Sequence, residues 1–290
     1  MRTAGLLLAV LLAAAGCAQE RTAPAGRLTV AVTFYPIAEF ARRLGGDRLE
    51  VRQIVPAGVE PHDYDPTPRD LAMVQGSRVF VYNGAGFESW VERILPGIPK
   101  TVLAVDTSQG IAPRRGDPHV WLDPVLAQAQ VDRIRDGLIQ ADPAGRAHYD
   151  AGAKALRAEL AALDRRYAEV LARCRRREFV TSHDAFGYIG ARYGLREIPV
   201  TGIDPEAEPT PARLREVIAI IRRTGATAVY TEPLLNPRVA ETLARETGTR
   251  VLVLDPLEGL TDEARARGRD YFTVMYENLD RLAEGLDCGG

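Results

Sequence analysis

The stretch Leu156-Arg157-Ala158-Glu159-Leu160-Ala161-Ala162-Leu163-Asp164-Arg165-Arg166-Tyr167-Ala168-Glu169-Val170 decides the fold. Its residues Leu156, Leu160, Leu163, Tyr167 and Val170 recur at steps of 4, 3, 4 and 3, the spacing of one helix face. Upstream, Asp142-Pro143 places a capping residue before a proline at the first helical position, and no further proline occurs before Cys174. A helix over 142–174 would be about 45 Å long at 1.5 Å per residue. That exceeds a crossover helix and predicts a rigid spine between two lobes, free of proline because a kink would misalign them. The competing reading is a coiled-coil seam, but about four alanine-rich heptads make a poor one, so a monomer is expected.

On both sides of the spine, short apolar runs alternate with helical patterns, the rhythm of α/β units with parallel strands. Before it, strands are expected over 28–33, 49–55, 79–83 and 101–104, with helices over 36–44, 68–74, 87–95 and 125–139. After it, strands are expected over 178–181, 197–200, 228–230 and 250–254, with helices over 185–193, 210–223, 237–247 and 271–286. The chain of 290 residues is too long for one ordinary core and suits two. The predicted architecture is two parallel-sheet α/β lobes, 27–141 and 175–290, joined by the long helix 142–174, with a site in the cleft between them. No close sequence repeat relates the halves.

The first residues carry an address. Met1-Arg2 precede a wholly apolar 6–15, too short to span a bilayer comfortably, and Ala14-Ala15-Gly16 lead into Cys17. This resembles a bacterial lipoprotein signal: residues 1–16 removed, Cys17 acylated, 17–26 a tether, and the product exported and membrane-anchored on the periplasmic or outer face. Ordinary signal cleavage with Cys17 incidental is the alternative. In an oxidising compartment Cys174 and Cys288 are free to pair, although their spacing says nothing of geometry. A formal net charge of −2 gives no reason to expect nucleic acid as a partner.

Three of the four histidines sit in proline-bordered loops with acidic neighbours. His62 lies in Pro61-His62-Asp63-Tyr64-Asp65-Pro66, and His119 in Asp117-Pro118-His119-Val120-Trp121-Leu122-Asp123-Pro124. His183 follows a predicted strand, and Asp255 ends another just before Pro256. Ligands of open parallel sheets bind beyond the carboxyl ends of the strands, so these four residues suit one cleft. Three neutral imidazoles and a carboxylate make an N3O set fitted to Zn2+, and they exclude hard cations that want oxygen cages. Singly, each has a plainer reading: a surface or capping histidine, a turn-forming aspartate. His148, on the spine, is read as solvated surface.

With these motifs in view, the chain resembles the zinc- and manganese-specific solute-binding lipoproteins of ABC transporters. The likeness is carried by Val32-Thr33-Phe34-Tyr35-Pro36-Ile37, the two histidine loops above, and Ser182-His183-Asp184-Ala185-Phe186-Gly187-Tyr188. It continues in Gly202-Ile203-Asp204-Pro205-Glu206-Ala207-Glu208-Pro209-Thr210-Pro211 and Leu254-Asp255-Pro256-Leu257. It implies a metal receptor, not an enzyme, with His62, His119, His183 and Asp255 as ligands. It also implies a membrane permease and, through it, an ATPase as partners. A histidine at position 183 favours Zn2+. The segment 106–116 is short and holds no histidine where many zinc members carry a His-rich loop, which keeps Mn2+ as the alternative. The rival from another class is a zinc-dependent hydrolase using the same cluster; four protein ligands would leave it no open coordination position.

Overall fold

The structure, a computed structural model, describes residues 26–289; Cys17 and the signal segment lie outside that range. The first half runs β1 (Leu28–Val32), α1 (Tyr35–Gly45), β2 (Leu49–Gln53), α2 (Pro68–Gln75), β3 (Val79–Tyr82), α3 (Val91–Ile94), β4 (Leu103–Asp106) and α4 (Pro124–Ala141). The long helix α5 (Arg146–Leu171) follows. The second half runs β5 (Glu178–Thr181), α6 (Gly187–Tyr193), β6 (Arg196–Pro199), α7 (Pro211–Thr224), β7 (Ala228–Thr231), α8 (Arg238–Thr247), β8 (Arg250–Val253), α9 (Asp262–Ala266) and α10 (Tyr271–Gly285).

Each half forms one four-stranded sheet, all parallel, in the orders β2-β1-β3-β4 and β6-β5-β7-β8. The two windings are the same, so the halves repeat in architecture though not in sequence. In both sheets the chain reverses its winding between the two central strands, and all strand carboxyl ends face the loops that carry the candidate ligands.

The spine differs from expectation at its start. Pro143–Gly145 forms a 3-10 turn, and the α-helix proper begins at Arg146. Asp142 makes no capping bond; its Oδ2 instead accepts hydrogen bonds from Arg48 and Tyr149, 2.7 and 2.8 Å away. The helix spans 26 residues, about 39 Å. Leu156, Leu160, Leu163, Tyr167 and Leu171 are fully buried along it. They belong to one apolar cluster that also takes in α1, α4, α6 and α10, so the inner faces of both lobes share a single core. Smaller clusters cover the outer face of each sheet. A shared core of this kind resists wide separation of the lobes, because opening it would expose apolar surface. A disulfide between Cys174 and Cys288 ties the segment after the spine to the segment after α10.

Two other elements depart from the sequence pattern. The expected helix over 87–95 shrinks to α3 and a 3-10 turn, Leu95–Gly97. The Glu88 carboxylate accepts from the amides of Asn83 and Gly84 and from the Thr33 hydroxyl, folding the chain back before the helix can start. Conversely, α9 was hidden among charged residues; it begins because Thr261 Oγ1 accepts from the Ala264 amide.

Candidate metal centre

Four loops deliver the donors. His62 follows β2, His119 follows β4, His183 stands two residues past β5, and Glu258 lies five residues past β8. Among the described residues, His62, His119, His183 and Glu258 form a group whose ligand atoms lie within 4.8 Å of one another. The imidazole Nε2 atoms of His62, His119 and His183 stand 3.1, 2.9 and 3.3 Å from Glu258 Oε1. His119 Nε2 is 3.2 Å from His62 Nε2 and 3.3 Å from His183 Nε2. Donors placed 2.0–2.1 Å from a tetrahedral Zn2+ stand about 3.3–3.4 Å apart, so these spacings need little change to close on an ion.

The structure therefore brings together the three expected histidines, with Glu258 beside them. Asp255 is not in the group. Its Oδ1 accepts from the Leu257 amide at 2.8 Å, and its Oδ2 faces Arg269 at 3.9 Å. The remaining histidine, His148, is exposed on α5, with Nε2 2.9 Å from the Gly45 carbonyl oxygen.

Outer carboxylates orient two of the rings. His119 Nδ1 donates to Asp117 Oδ1 and His183 Nδ1 donates to Glu232 Oε1, each at 2.8 Å. With a proton committed to Nδ1, each ring turns its Nε2 lone pair inward, the arrangement common around bound metal. His62 is braced differently: its ring packs edge-on against Phe87, with centroids 4.6 Å apart, and its amide donates to Glu60 Oε1. Phe87, Phe34 and Trp121 form an aromatic wall behind the cluster.

All these groups are buried or nearly so. Burial disfavours ionised Glu258, but His183, His119 and His62 together outweigh it and hold this carboxyl well below its usual range. Burial likewise opposes charge on His183, yet Glu258 and Glu232 raise it well above the ordinary histidine value. His119 is raised as well, burial being outweighed by Asp117 and Glu258. His62 is lowered, chiefly by burial. Burial and the neighbouring Glu258 push Glu60 up to about 8, and burial pushes Asp255 up to about 7.

Glu258, Asp117, Glu232 and Glu60 are absent from the sequence-derived site. Asp117 was within reach, two residues before His119 in the same motif. Glu232 stands before Pro233 at the end of β7, the pattern that singled out Asp255 before Pro256.

Two α/β lobes on a shared spine, with a buried N3O donor set between them, define a solute-binding protein of the metal-receptor class. The chain belongs to the family described as zinc-uptake complex component A, periplasmic, which it matches over residues 30–285. That family is one of solute-binding receptors, and nothing favours the hydrolase reading.

The chain is 34% identical to the high-affinity zinc uptake system protein ZnuA of Bacillus subtilis, covering 97% of this chain and 96% of that one. It is also 34% identical to the zinc-binding lipoprotein AdcA of Streptococcus pneumoniae, of whose length it spans 62%. Among solved structures, the Zn(II)-bound ZnuA-like domain of S. pneumoniae AdcA superposes with a TM-score of 0.83 at 36% identity. That match covers 90% of this chain and all of the domain. The laminin-binding protein of Streptococcus agalactiae, described as having adhesin and metal-transporting activity, superposes with a TM-score of 0.82. It is 31% identical, with 89% of this chain and 99% of that one covered.

Proposed function

We propose that this protein is the extracytoplasmic receptor of an ABC importer, capturing one Zn2+ with His62, His119, His183 and Glu258 and delivering it to a permease coupled to an ATPase. One observation carries the reading. Three imidazole Nε2 atoms and a carboxylate oxygen converge within 4.8 Å of one another, five of the six separations being 2.9–3.3 Å, with His119, His183 and Glu258 buried and His62 nearly so. Four electron-rich atoms at that spacing repel one another unless a cation or protons lie between them. Zinc is favoured over manganese by the three nitrogen donors and the general affinity order, and the zinc-binding relatives support it.

In this reading 27–141 and 175–290 act as lobes on the linker 142–174, and the protein works as a monomer. It is exported and held to the membrane by lipid on Cys17; among the described residues no helix is long and apolar enough to cross a bilayer. Because the core is continuous across the lobes, release proceeds by withdrawing ligand loops more than by wide opening. The test is elemental analysis of protein purified without chelators, followed by Zn2+/Mn2+ competition. One zinc per chain that manganese fails to displace is expected. Absence of stoichiometric transition metal, with no uptake on adding Zn2+, would overturn the reading.

A further inference from the structure

Glu258 reaches the histidines by way of an unusual backbone. Leu257, the residue before it, has φ of 60°, in the left-handed region that a bulky side chain rarely enters, and it is fully buried. Such a conformation persists only where the surroundings over-determine it. Here the preceding residues are pinned one by one. The Asp255 amide donates to Asn278 Oδ1 at 2.8 Å, and Asn278 Nδ2 donates back to the Asp255 carbonyl at 2.7 Å. Across the cleft, Trp121 Nε1 donates to the Pro256 carbonyl at 2.7 Å, and the proline ring limits φ at that position. The last bond is the one that closes the turn: Asp255 Oδ1 accepts from the Leu257 amide at 2.8 Å.

We propose that Asp255 is the positioning residue of the metal shell: its carboxylate oxygen clamps the Leu257 amide, holds Leu257 left-handed, and so turns Glu258 onto the three imidazoles. This rests on the reading of Glu258 as a metal ligand. What the clamp requires of residue 255 is an acceptor oxygen at that place, and an asparagine side chain supplies one. A ligand role would require the carboxylate charge. The two roles therefore separate on a single atom.

The test is Zn2+ affinity of the full chain, measured by competition with a chromophoric chelator, alongside thermal melts and the absorption of the Co2+-loaded protein. Asp255→Ala is expected to weaken Zn2+ binding by about 10–100-fold, the range for residues that orient a ligand. Asp255→Asn is expected to restore affinity to within about threefold of wild type and to keep the wild-type Co2+ spectrum, since the Leu257 amide keeps its partner. Glu258→Gln, losing the ligand charge, alters both. In a Leu257→Gly background, where a left-handed φ carries no steric penalty, adding Asp255→Ala should cost less than about threefold. An Asp255→Asn protein that loses affinity as Glu258→Gln does would make Asp255 a charged ligand and overturn the proposal. An Asp255→Ala protein that binds normally would overturn it equally. Should Leu257→Gly fail to fold, the contrast between Asn and Ala at position 255 decides alone. Failure of the wild-type chain to bind zinc would sink the functional reading instead, before residue 255 is tested.

Discussion

His119 Nε2 lies 2.9 Å from Glu258 Oε1 although 139 residues separate them, and the other nitrogen of the same ring donates to Asp117. The imidazole is thus strung between a carboxylate that sets its tautomer and one that faces its Nε2. In the proposed reading, zinc capture depends on holding that ring, and two like it, at these distances from Glu258.

Glu258→Gln removes charge while keeping shape. Zinc affinity is expected to fall by more than about 100-fold, beyond what loss of an outer orienting carboxylate causes, and the metal-free protein should melt lower because His183 and His119 lose the buried carboxylate that raises them. Chelator competition and a thermal melt on the same preparation check it; an unchanged affinity would remove Glu258 from the shell.

Asp117→Asn and Glu232→Gln probe the outer carboxylates. Each should weaken zinc binding by about 10–100-fold, because Nδ1 loses its charged acceptor and the ring loses both basicity and orientation. The affinities of the two single variants are the measurement, and values matching wild type would show the rings to be fixed by packing alone.

Acidity should oppose the metal over an unusually high range. Without a cation, Glu258 is held ionised while His183 and His119 have raised values, so protons occupy the place of the ion. Zinc must displace them, and affinity should climb by about tenfold per pH unit for each proton released. For the metal-free fold the sign is opposite. A raised histidine stabilises fully below its unfolded value, about 6.5, and that contribution is lost as pH rises through the folded value. Calorimetric proton release and zinc affinity from about pH 6 to about pH 8 provide the check. A flat affinity across that range would count against the three-histidine shell.

The disulfide between Cys174 and Cys288 closes a loop with a sequence separation of 114 residues. Replacing both cysteines with serine should lower stability by about 3–5 kcal/mol by freeing the unfolded chain. The site is built from other elements, so zinc affinity should change less than about twofold, well short of the loss from disturbing an orienting residue. Denaturant titration of the metal-free pair tests the first claim and chelator competition the second.

Gly152 marks where α5 touches α1. A Cβ there would lie 2.6 Å from the Leu44 carbonyl oxygen and 3.0 Å from its Cα, backbone atoms that have nowhere to go. Gly152→Ala should destabilise by about 1–3 kcal/mol through forced separation of the helices, despite alanine's better helix propensity. A stabilised variant in denaturant titration would show that the contact yields easily.

Much of the site was legible along the chain because proline and acidic neighbours mark the loops of His62, His119 and His183. Asp255 was reached by the same logic, a carboxylate at a strand end before proline. The structure gives that description equally to Glu232, which bonds His183 Nδ1, and sets Glu258 against the Nε2 atoms. Nothing in Leu254-Asp255-Pro256-Leu257-Glu258 announces a left-handed leucine, so no periodicity could have told which carboxylate turns inward.

The sequence by itself determined the alternation of strands and helices, the long amphipathic spine and the loops of the three histidines that cluster, because each is written in spacings of a few residues. Tertiary structure alone decided which carboxylate faces the three Nε2 atoms, which acids brace the rings, and that both lobes share one core. Those outcomes depend on distances between segments more than a hundred residues apart, and only packing sets such distances.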